Sequence, residues 1–171
     1  MFPADVITVV AYLHIISAVG WLGASFFFVI IMAPGLRSLT PAAALEFNAK
    51  IGGKAVRYFM AVSGSTVLFG LILLYLSLDG DFSRLWTTGY GETLAVGFTL
   101  GLIAFLDAIL ITAPALRKAS KLAGELMKNP PQGPPTELMA LLKRGGEGAA
   151  IGTAILFITA AFMVTAGFAF G

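Results

Sequence analysis

One histidine, His14, occurs in 171 residues, inside an uncharged stretch that runs over 6–33. Neutral imidazole is a common ligand for haem iron, copper and zinc. An ionisable side chain inside so apolar a segment needs a partner, a wet cavity or a ligand. Trp21 follows two helical turns later on roughly the same face, with Leu22-Gly23 behind it. Met163 is the second soft ligand: if the stretches around His14 and Met163 run in opposite directions, the two residues lie at comparable depth. His14 and Met163 together would suit haem or a soft copper ion. The other ionisable group in apolar surroundings is Asp107, which must be protonated or paired with a basic group reaching inward. Lys54 and Arg57 are the candidates, with Glu147 and Arg57 extending the network. A structural ion pair is the leading reading over a proton relay or substrate site. A single histidine cannot build the three-ligand set of a catalytic zinc site. Apart from His14 and Asp107 nothing here offers acid–base chemistry, so a stand-alone enzyme is the least supported reading.

The elements that position these residues are read from hydropathy. The chain is 58% hydrophobic and 12% charged, with a mean hydropathy of +0.91, whereas soluble domains carry about 25% charged residues. Four stretches, 6–33, 58–78, 93–116 and 148–170, reach the roughly 20 apolar residues needed to cross a hydrocarbon core. They leave no room for a sizeable soluble domain. The expected fold is all-α: one polytopic membrane domain, an up-down bundle of four transmembrane helices. Residues 1–5 lack a basic signal region, and the apolar stretch after them is too long for a signal core, so it reads as a retained first helix. With no cysteine, disulfides and thiolate metal sites are excluded.

Charge sets the expected topology. Of the eleven basic residues, Arg37, Lys50, Lys54 and Arg57 follow the first span, and Arg117, Lys118, Lys121, Lys128, Lys143 and Arg144 follow the third. Only Arg84 lies in the connection 79–92, against Asp79, Asp81 and Glu92. The positive-inside bias then makes 34–57 and 117–147 cytoplasmic loops, with 79–92 and both termini outside the cell membrane. Basic loops of this kind contact anionic lipid and do not signal nucleic acid. Trp86 and Tyr90 fit an interfacial aromatic belt. His14 would sit roughly 12 Å below the outer boundary at about 1.5 Å rise per residue.

An internal repeat runs through the chain. Ile31-Met32-Ala33-Pro34-Gly35-Leu36-Arg37 recurs 80 positions on as Ile111-Thr112-Ala113-Pro114-Ala115-Leu116-Arg117, and a Gly-Gly pair precedes the next span in each half (Gly52-Gly53, Gly145-Gly146). Two helical hairpins of one orientation, related by a pseudo-twofold along the membrane normal, account for this. His14 aligns with Leu94, Trp21 with Gly101 and Phe27 with Asp107, so a histidine site belongs to the first half alone. Both prolines are placed near cytoplasmic helix ends, where a missing donor matters least. Thr40 is a helix cap before Pro41, 115–127 continues the third helix, 129–135 is a proline-rich turn, and 136–143 restarts a helix. Gly97-xxx-Gly101 and Gly148-xxx-Gly152 permit close helix approach. The alternative to a ligand role for His14 is a structural imidazole bonded to a backbone carbonyl or a Ser/Thr of another helix, with Ser63, Ser65 and Thr66 as candidate partners of His14 or of a ligand.

The run Leu13-His14-Ile15-Ile16-Ser17-Ala18-Val19-Gly20-Trp21-Leu22-Gly23, then Phe26-Phe27-Phe28 and Ala33-Pro34-Gly35-Leu36-Arg37, resembles the first helix of the copper-resistance-D-like superfamily. That group includes copper-resistance membrane proteins, four-helix relatives and the bacterial membrane protoporphyrinogen oxidases. The likeness covers about 25 residues closely and the four-helix layout more loosely. It implies haem b or copper handling, with His14 as the ligand. The oxidases carry a further lysine in a later helix and an arginine after the first-helix proline. Here no Lys or His lies between Arg84 and Arg117 and Gly35 follows Pro34, which argues against that activity. The leading expectation is a haem b protein in electron transfer or haem handling, with Trp21 flanking the cofactor and Met163 as a second ligand. The alternatives are copper homeostasis or transport, and an accessory subunit of a larger membrane complex or homo-oligomer.

Overall fold

The computed structural model describes residues 3–130 and 133–169, of which none is in a strand. Four long helices carry the fold: α1 (Ala4–Arg37), α2 (Pro41–Ser77) and α3 (Gly89–Lys128), and α4 (Thr136–Ala169). All four are long and apolar enough to cross a membrane. The first three contain 34, 37 and 40 residues, about 50–60 Å at 1.5 Å per residue against a hydrocarbon core of about 30 Å. The expected spans are therefore parts of longer rods, whose extra length lies mainly at the basic end. Much of their apolar surface is exposed, as at Tyr12, Ile16, Leu68, Leu110 and Ile158. In lipid such surface carries no penalty, and backbone satisfaction within the helices matters more.

Pro34 lies near the end of α1 as expected, whereas Pro114 lies well inside the 40-residue α3, which continues beyond it as expected for 115–127. Each follows a π-helical turn, Phe28–Met32 and Ala108–Thr112, in which the amide of Ala33 bonds the carbonyl of Phe28 and that of Ala113 bonds Ala108. Proline has no N–H, and its ring crowds the carbonyl four residues back. A turn with i→i+5 bonding widens the ladder at that point and lets the helix run on. The two π turns are themselves 80 positions apart, so the repeat extends to the backbone. A third, Asn48–Gly52, joins the short helix expected at 42–47 to the second span without a break. Thr40 caps it, its hydroxyl 3.4 Å from the Ala43 amide, with Pro41 in the first turn.

The helices pack as hairpins, α1 on α2 and α3 on α4; α2 and α3 also meet extensively toward the basic end, and the contact between α1 and α4 is thinner. At the basic end the extensions of α2, α3 and α4 form a small core of Ala119, Ala123 and Leu138 with Leu45, Leu122 and Leu142 against it. Arg117, Lys118 and Lys121 stay exposed on the far face of α3. Residues 131 and 132 of the expected proline-rich turn lie outside the described residues. At the other end, Asp79 and Gly80 turn the chain with φ of 56° and 78°. Gly91 then passes so close to the Arg84 carbonyl that a side chain would collide with it. Thr88 caps α3 there, accepting from the Gly91 amide at 3.0 Å.

Candidate functional site

The imidazole of His14 is held at one nitrogen and free at the other. Nδ1 lies 2.9 Å from the Thr66 carbonyl oxygen on α2. A carbonyl only accepts, so Nδ1 carries the proton and Nε2 presents a lone pair. Nε2 has no hydrogen-bond partner among the described residues, and no polar side-chain atom there is both sealed from solvent space and unpaired. It therefore opens onto the space beside it. The Cε1–Nδ1 side of the ring packs against Gly70, where an added Cβ would come within 3.0 Å of Cε1 and 3.1 Å of Nδ1. Of the expected partners, Thr66 serves through its backbone; its hydroxyl bonds the Val62 carbonyl of its own helix at 2.8 Å.

The space is a cavity of about 350 Å³ lined by all four helices, with His14 and Ala18 from α1, Gly70 from α2, Gly97 and Gly101 from α3 and Met163 from α4. Met163 thus shares the cavity with His14, as their depths suggested. It rests on Gly97, where an added Cβ would come within 2.9 Å of its Cε. The offset of 93 that aligns Gly53 with Gly146 also aligns Thr66 with Thr159 and Gly70 with Met163. Both threonines bond the carbonyl four residues back, at 2.8 and 2.9 Å. The halves are therefore built in mirror fashion. In the first, a large side chain on the leading helix meets a glycine on the returning one; in the second, the glycine leads and the large side chain returns. Sequence reasoning credited Gly97 only with helix approach and overlooked Gly70. Tyr90, expected in the aromatic belt, stands with Ser77 at the end of this cavity nearest the 78–88 connection, while Trp86 is fully exposed.

Trp21 forms the opposite end. It is 4% exposed, meets Phe105 edge-on with ring centroids 6.4 Å apart, and forms a core cluster with Ala104 and Leu156. Trp21 and Leu156 also line a second, smaller cavity of about 60 Å³ toward the basic end. They are a partition between two chambers stacked along the bundle.

Asp107 lines the smaller chamber. Its Oδ2 accepts a 3.0 Å hydrogen bond from the Thr112 hydroxyl across the π turn, where the i,i+5 spacing lines the two side chains up. The pair is pressed onto α4. A Cβ at Gly148 would collide with Thr112 Oγ1 and approach Asp107 Oδ1 to 3.3 Å, and one at Gly152 would approach Oδ2 to 3.3 Å. Gly148-xxx-Gly152 is thus the seat of a carboxyl as well as a helix contact. Lys54 and Arg57, expected to neutralise Asp107, are exposed on α2 and form no ion pair with it among the described residues. Glu147 faces Lys143 instead, at 3.9 Å.

Among the described residues no group of three or more His, Cys, Asp or Glu side chains could hold a metal ion. No family model, curated protein or solved structure matches the chain. The fold and the site thus define an all-α four-helix membrane bundle with two partly open cavities between its helices, the larger lined by a singly tethered histidine.

Proposed function

We propose that the chain binds haem b through His14, in electron transfer or haem handling, as a member of the copper-resistance-D-like superfamily in the cell membrane with both termini outside. One observation carries the reading: an imidazole fixed through Nδ1–H to a backbone carbonyl, its Nε2 lone pair open to a cavity of about 350 Å³. Such a bond on the far nitrogen fixes tautomer and ring angle and raises the basicity of the ligating nitrogen. The cavity falls in the range of about 300–1,000 Å³ usual for ligand sites. Its walls, among them Ile15, Leu73, Leu94 and Phe98, suit a flat apolar macrocycle. Ser77 and Tyr90 at its end offer hydroxyls to peripheral carboxylates. Bound haem would supply a one-electron iron couple. The residues that would hold haem are His14, through Nε2, and Met163, whose thioether would offer a second, soft ligand, while the apolar walls would keep water from the ring.

A second reading, copper handling, is favoured by the same pairing of imidazole and thioether in one cavity, since soft ligands select Cu(I). The experiment that separates the two is an absorption spectrum with metal analysis of protein purified from a haem-replete host, wild type beside His14→Ala. The expected result is a Soret band and one haem per chain in the wild type, both lost in His14→Ala. Copper without haem would favour the second reading. Neither, with both proteins equally stable and copurifying with larger partners, would leave an accessory subunit.

A further inference from the structure

The smaller chamber does not belong to the His14 site, and its chemistry differs. Four polar side chains line it from three helices: Ser25, Asp107 with its partner Thr112, and Thr153. Asp107 comes from α3, with Oδ2 engaged by Thr112 and Oδ1 without a hydrogen bond. Ser25 comes from α1. Thr153 comes from α4, its hydroxyl donating to the Ala149 carbonyl at 2.7 Å and its oxygen lone pairs left over. Ser25 is only 9% exposed, yet its hydroxyl bonds no described residue. Thr66, Thr153 and Thr159 each bond the carbonyl four residues back, but Ser25 does not, and it lines the chamber instead. Since no polar side-chain atom among the described residues is both sealed and unpaired, the Ser25 hydroxyl opens onto the chamber space, where it is free to donate to water.

No counter-charge reaches the chamber. α2 contributes Val56, Phe59 and Met60 to its wall, and α1 adds Trp21 and Phe28. The ionisable groups nearest along the packed helices are Lys54 and Arg57 on α2, Arg117 on α3, and Lys143, Arg144 and Glu147 on α4. All are exposed and none lines it. A single carboxylate among mostly apolar walls cannot satisfy a hard metal cation, which takes about six or more oxygen ligands. It can be neutralised by a proton. A volume of about 60 Å³ also admits water, which occupies about 30 Å³ per molecule in the liquid and needs two or more polar partners.

We propose that this chamber is a proton-binding site of the membrane domain, with Asp107 as the proton carrier and Ser25 and chamber water as its hydrogen-bond partners. Asp107 Oδ1 takes up a proton that reaches the chamber from the aqueous phase as hydronium, leaving neutral water and the neutral acid, and the reverse step returns the proton to water. Thr112 keeps Oδ2 in place throughout. The Trp21–Leu156 partition separates this site from the His14 cavity. Proton binding here does not depend on haem at His14, so cofactor-free protein serves for the test.

The test is infrared difference spectroscopy across a pH step, on protein in liposomes carrying isotope-labelled aspartate. The expected spectrum contains a protonated-carboxyl stretch that shifts with the label, is missing in Asp107→Asn, and changes frequency and titration midpoint in Ser25→Ala. A carboxylate signal for Asp107 at every pH overturns the proposal, as does a protonated-carboxyl band that survives Asp107→Asn. Should Asp107→Asn fail to fold, labelled wild type and Ser25→Ala decide it: a labelled band indifferent to Ser25→Ala means that the hydroxyl and the carboxyl do not share a site.

Discussion

The two chambers of this bundle are built by the same backbone device and filled for opposite purposes. In both, a side chain able to do chemistry lies against a glycine on the antiparallel neighbour: His14 on Gly70 in the larger, Asp107 on Gly148 and Gly152 in the smaller. The larger chamber draws its ionisable group from the first hairpin, leaves it one free nitrogen and has volume to spare. The smaller draws its group from the second, binds one of its oxygens internally and has space for little beyond water. A repeated fold in lipid can thus divide labour between its halves by exchanging a few residues, because helix packing there rests on small residues and close approach more than on a large core.

Removing the partition is the severest test of that comparison. Trp21→Ala should fuse the chambers and destabilise the bundle by about 3–5 kcal/mol, the usual range for truncating a buried tryptophan, measured by reversible unfolding in mixed micelles. A loss near zero would mean that the chambers are not separately maintained. Gly148→Val comes next. Its branched side chain must displace Thr112, so overpacking should destabilise by about 1–3 kcal/mol while leaving any haem spectrum unchanged. A spectral change would show that the chambers are coupled.

The converse is expected of Gly70→Ala. A methyl group 3.0 Å from the His14 ring tilts the imidazole and weakens its bond to Thr66, so ligand binding in the larger chamber should fall about tenfold, equivalent to about 1.4 kcal/mol. Titration of purified apoprotein with haem reads this directly, and an unchanged affinity would release His14 from its assigned role. The smallest effect belongs to Met163→Leu. As a volume-conserving change it should alter stability by less than about 1.5 kcal/mol. A shift of the reduced-haem absorption bands with stability intact would identify the thioether as a ligand, whereas superimposable spectra would reduce Met163 to packing.

Residue order alone established a good deal. The hydropathy of four long stretches fixed an all-helical membrane bundle, since no other spanning structure satisfies the backbone of such segments in lipid. The recurrence around Ala33-Pro34 and Ala113-Pro114 revealed two related hairpins, and the rarity of ionisable groups between the loops singled out His14 and Asp107. Tertiary structure decided the rest. That the prolines are absorbed by π turns depends on i→i+5 bonds that no residue pattern announces. That Asp107 answers to Thr112 and two glycines, with Lys54 and Arg57 left exposed, depends on the rotation of α3 against α4. That Ser25 is unpaired and Gly70 holds an imidazole depends on which faces meet. Composition and periodicity act locally and summed along the chain, so they survive in sequence. Which nitrogen is free, and what lies beside it, is a property of several helices at once and exists only when they are packed together.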